Sequence, residues 1–101
     1  MVFQVIHTHT YESCPGRSPE GVKRINEWWQ SLKKTPGIKV LAGYIVPIEH
    51  AYYITVEADD YPTVSRAFGP LNGYGTGRII PVLTFDQTIP IAQTGAFGVQ
   101  K

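Results

Sequence analysis

The chain holds a single cysteine among its 101 residues, and one thiol excludes an internal disulfide framework. It has no basic run. The formal net charge is +1, with acids and bases mixed along the chain, so nothing marks a nucleic-acid surface. No apolar stretch approaches the roughly 20 residues of a membrane span. The first residues lack a basic segment followed by a long apolar run, so no secretory leader is expected, and the default expectation is a cytoplasmic protein. The length leaves no room for a second domain. The glycines of Gly73-Tyr74-Gly75-Thr76-Gly77 do not form a phosphate loop. They come after a helix pattern and before a strand pattern, the reverse of the dinucleotide order, and read as a turn or a pocket rim.

What remains is a regular alternation of short elements. Val2 to His9 has the β-branched and aromatic content of a strand. Ser18, Pro19 and Glu20 form a helix start: a capping hydroxyl, a proline at the first position and an acid against the dipole. Val22, Ile25, Trp28, Trp29 and Leu32 then share one face, and Pro36-Gly37 ends the helix. Lys39 to Val46 and Ala51 to Glu57 read as two strands joined by the Pro47–His50 loop. Asp60 and Pro62 start a second helix, with Tyr61, Val64, Phe68 and Leu71 on one stripe and Gly69-Pro70 as its breaker. Arg78 to Phe85 reads as the last strand. Pro81 lacks a ladder donor and places that strand on a sheet edge.

The order βαββαβ predicts a ferredoxin-like α+β fold over residues 1–86: a four-stranded antiparallel sheet with two helices on one face. Alternation in the second strand sets Val40, Ala42, Tyr44 and Val46 against Leu41 and Ile45. Both faces are then apolar, while two helices cover one. The uncovered face calls for a second copy, so a homodimer or larger homo-oligomer with sheets packed face to face is expected. These features resemble the dimeric α/β-barrel superfamily, in which ferredoxin-like protomers pair through their sheets around small-molecule pockets. The start MVFQVIHTHT, the following ESCPG and the segment GRIIPVLTF look like a narrower uncharacterised family within it. The superfamily hosts monooxygenases, isomerases, dehydratases, haem enzymes and proteins without known activity, so the resemblance implies a fold and no particular reaction.

Chemistry concentrates at the end of the first strand. His7 and His9 are two apart and point to one face. In a ferredoxin-like sheet that strand end meets the start of the third strand, at His50, and the start of the fourth, near Arg78. The loop carrying Cys14 leaves from the same end. Imidazole and thiolate suit zinc, copper or iron, so His7, His9, His50 and Cys14 form the candidate metal set, with Glu12 and Glu49 as further donors. A metal-free alternative makes His7 or His9 a general base in a pocket lined by Tyr44, Tyr52 or Tyr53, with Arg78 holding an anionic group. In the plainest alternative the two histidines line the space between paired sheets and hydrogen-bond to tyrosines or backbone.

Residues 87–101 continue past the fold as a weakly apolar extension with Ile89, Ile91, Phe97 and Val99. It is expected to dock on a neighbouring subunit, for instance as an added strand, which supports a third reading: a non-catalytic, self-assembling or partner-binding subunit.

Overall fold

The computed structural model describes residues 1–96. Four strands form one antiparallel sheet in the order β2-β3-β1-β4, with β1 at Val2–His9, β2 at Ile38–Val46, β3 at Ala51–Ala58 and β4 at Gly75–Val82. Two helices of the ferredoxin-like plan, α1 (Pro19–Lys33) and α2 (Tyr61–Phe68), join them, and a third, α3 (Phe85–Gln93), follows β4. Both expected caps are made: Ser18 accepts from the Gly21 amide and Asp60 from the Thr63 amide. Helix α2 gives way at Gly69 to a 3₁₀ segment over Gly69–Gly73, where the Gly-Pro breaker was expected to act.

The core lies between the sheet and the two helices. Phe3 and Val5 of β1 meet Ile54 and Val56 of β3, and Leu32, Val64, Phe68 and Leu71 close over them. The Trp28 indole donates to the carbonyl of Ala67 at 2.9 Å and ties α1 to the end of α2. The neighbouring Trp29 ring covers Gly43, where an added Cβ would come within 2.5 Å of it.

Three expectations of the sequence are corrected. Val40 does not share a face with Ala42, Tyr44 and Val46. A bulge at Leu41 shifts the register, so Val40 pairs with the buried Val56 while Ala42 pairs with Thr55, Tyr44 with Tyr53 and Val46 with Ala51. Strand β4 begins three residues early, because β1 continues to His9 and pairs with Gly75, Thr76 and Gly77. It also ends before Phe85. Thr84 and Gln87 make a reciprocal capping box, which turns the chain into α3 instead of prolonging the strand. The boundary at residue 86 therefore falls inside a helix. No side chain of α3 is buried, and Phe85 and Ile89 are exposed. Phe97 and Val99 of the expected extension lie outside the described residues.

Candidate metal centre

Strand β1 carries its apolar face into a polar corner. Phe3, Val5 and His7 of the inward series pair across β3 with Val56, Ile54 and Tyr52, and His9 continues the series opposite Gly75 of β4, so both histidines lie under the helices and not between paired sheets. They are buried at 3% and 9% exposure, close to the values for Phe3 and Val5. Gly75 permits this packing: a Cβ there would collide with the Thr8 carbonyl and the backbone of His9.

Two loops complete the corner. After β1, Thr10 and Ser13 exchange backbone and hydroxyl hydrogen bonds and fold the chain back. Cys14 donates its amide to Tyr11, and its carbonyl accepts from Arg17. The Arg17 guanidinium lies 4.7 Å over the Tyr11 ring and donates to the Glu12 carbonyl. Gly21 lets α1 approach this loop, since a Cβ there would strike the Pro15 carbonyl. The second loop, Pro47–His50, ends with His50 at a φ of 53°, the left-handed region that side chains other than glycine seldom occupy. Its carbonyl accepts from the His9 amide at 3.1 Å, which locks the loop to the end of β1.

The result is a triad of ligand-type side chains. One ligand atom each from His9, Cys14 and His50 lies within 4.8 Å of the others. A tetrahedral zinc ion with bonds of about 2.0–2.3 Å separates its ligand atoms by roughly 3.3–3.8 Å, so the three atoms need to draw together only slightly. Two imidazoles and one thiolate form a donor set that fits zinc or copper and leaves a coordination position for a small ligand. His7 stands behind the triad, its Nε2 3.1 Å from Nδ1 of His9. Burial, and then the neighbouring His9, lower the pKa of His7 from 6.5 to about 4; burial, and then His50, also lower that of His9. Both rings are therefore neutral at neutral pH, as ligation requires of His9. Tyr52 floors the corner, its ring 5.1 Å from that of His7 and 5.4 Å from that of His9, and burial raises its hydroxyl pKa.

The triad forms one wall of a half-open cleft of about 580 Å³, whose other lining includes Tyr11, Arg17, Ile25, Ile45 and Tyr52. Ile25, Ile45 and Tyr52 also line a second, more apolar cleft of about 460 Å³ that runs under α1 past Trp28 and Trp29 to Lys23. Other expected participants stay outside the triad. Arg78 pairs with Ile6, and Tyr53 with Ile6 and Tyr44, at register positions of the opposite face, while Arg78 also lines, with His7, a separate cleft of about 170 Å³ beside α2. Neither Glu12 nor Glu49 joins the triad. The share of a common face by His9 and His50 was not legible from alternation alone, because His50 belongs to the turn and its left-handed backbone breaks the period of β3.

No helix among the described residues is long and apolar enough to cross a membrane. No curated protein matches the chain. Among solved structures it is similar to that described as "Crystal structure analysis of SCO4226 from Streptomyces coelicolor A3(2)", with a TM-score of 0.53 and 12% identity over 83% of this chain and 100% of that one. Identity at that level speaks for the fold alone. A family model matches residues 1–96, and the chain belongs to that family, the domain of unknown function DUF3303.

Proposed function

We propose that this protein binds a transition-metal ion, zinc in the first place, through His9, Cys14 and His50, and that the bound ion presents an open position to a small organic ligand in the adjoining cleft. The observation that carries this reading is the convergence of the three ligand atoms within 4.8 Å from three separate segments of chain. The backbone of His50 adds support: a side chain kept at a left-handed φ, where glycine would be unstrained, suggests that the imidazole is used. The apolar cleft beside the triad suits a ligand with a metal-binding head and a hydrophobic body.

Elemental analysis of untagged protein, purified without chelators and then offered zinc, copper and iron, tests the reading. About one ion per chain is expected in the wild type and none in Cys14→Ser or His9→Ala, with the circular dichroism of all three alike. A wild type that takes up no ion, or a Cys14→Ser protein that holds one as tightly, overturns it. Alkyl hydroxamates then test the ligand. Affinity for the loaded protein should rise roughly two- to fourfold per added methylene, following the transfer free energy of a CH₂ group.

The reading includes a second copy of the chain, proposed from the uncovered sheet face with Tyr44 and from the unburied apolar side chains of α3. Light scattering on the full chain and on a chain lacking residues 88–101 checks it: a monomeric full chain ends the proposal, and an unchanged oligomer in the shorter chain assigns assembly to the sheet face.

A further inference from the structure

The metal reading uses three side chains and leaves the most deeply buried imidazole, that of His7, without a role. His7 is 3% exposed on the inner face of β1, with the tilted Tyr52 ring 5.1 Å away. Its Nε2 lies 3.1 Å from Nδ1 of His9. Two ring nitrogens at that distance share one proton, and its position decides what His9 can do. If His7 donates, Nδ1 of His9 is the acceptor and the His9 proton sits on Nε2, which then has no lone pair for an ion. If His9 donates from Nδ1, its Nε2 is free to ligate. With Nδ1 engaged by His7, Nε2 is the nitrogen left to complete a site with Cys14 and His50.

We infer that His7 is a positioning residue: it accepts the Nδ1 proton of His9, fixes the tautomer that exposes Nε2, and holds that ring against the triad. The inference rests on the metal reading above and adds to it the residue that orients one of the ligands. His7 suits this task because its ring is buried, 3% exposed, with Val5 and His9 beside it on the same face and Tyr52 across the ladder. A buried outer partner of this kind orients its ligand without touching the ion, and removal of such partners ordinarily lowers metal affinity about 10- to 100-fold.

The test compares wild type, His7→Phe and His7→Gln. Phenylalanine preserves a buried ring and removes the acceptor; glutamine restores an acceptor oxygen. Zinc affinity is measured by competition with a chromogenic chelator. Cobalt is used as a spectroscopic probe of the Cys14 thiolate, and ring nitrogen shifts of His9 are read by NMR. The expected result is a 10- to 100-fold loss in His7→Phe, partial recovery in His7→Gln, and in the wild type a His9 proton on Nδ1 with Nε2 shifted by zinc. The cobalt–thiolate band should persist in both variants at saturating cobalt, because the three ligands remain. Equal zinc affinity in wild type and His7→Phe, or a His9 ligated through Nδ1, overturns the positioning role while leaving the metal site standing. A wild type that binds neither ion overturns both. If His7 served only packing, the Phe variant would keep its affinity and gain stability.

Discussion

The inner face of β1 has two halves with the same geometry and opposite chemistry. Phe3 and Val5 are 1% and 3% exposed; His7 and His9 are 3% and 9%. All four pair with β4 across the same ladder and lie on the same face of the sheet. For the first pair, burial is the driving force of folding. For the second, it desolvates groups that water would otherwise serve, and a hydrogen bond between the rings offsets part of that cost. An apolar residue would fill either position without this penalty. The difference teaches that one end of the strand stabilises the protein, while the other end spends stability on an arrangement of donors.

That contrast can be broken most forcefully at Phe3. Phe3→Ala should cost about 3–5 kcal/mol, a large part of the stability of a chain this size, and urea denaturation would register it. The second test uses pH on metal-free protein. The unfolded chain protonates His7 near 6.5, whereas the native chain resists until about 4, so the unfolded state binds more protons between those values. Stability should be full above this window, fall as the pH drops through it, and level off below. In His7→Phe the slope across the window should shrink; an unchanged slope would mean that the buried imidazole is not its source. Asp60→Ala removes the α2 cap, far from the histidine corner, and should cost about 1 kcal/mol with metal uptake untouched. The smallest stability effect is expected at His50→Gly, no more than about 1 kcal/mol in either direction, because glycine relieves the backbone while the lost ring contacts are partly exposed. The same variant should lose its metal. A large destabilisation there would make His50 a structural residue.

The elements were legible because their signals are local. Ser18-Pro19, Asp60 with Pro62, and Gly69-Pro70 each act within one turn of chain. Pro81 marked an edge strand from its missing N–H alone, and β4 is an edge. Thr84 and Gln87 carried an equally local capping signal, which the strand-like run before them obscured. The bulge at Leu41 was not legible. It depends on β3 holding its own register, and nothing within β2 announces an extra residue. The histidine end was legible as a location, since topology alone brings His50 and the Cys14 loop to the end of β1. Its membership was not. That Arg78 pairs with Ile6 and lies outside the triad, and that His7 stands behind His9 and not beside it, depend on pairing registers and ring positions that spacing does not encode.

The two outer strands of this sheet share a property with consequences for the protein in concentrated solution. Strand β2 carries a bulge, and strand β4 a proline, each within its length. Either defect interrupts the row of amides and carbonyls that a foreign strand needs as a template. The open row that invites fibril growth is thus spoiled on both sides by one inserted leucine and one missing N–H. Copies that meet are steered toward contact through faces, where association can close on itself and stop. Deleting Leu41 would leave the neighbouring pairs in register and restore an uninterrupted edge; aggregation on prolonged incubation, more than any loss of folding, is where that change should be felt.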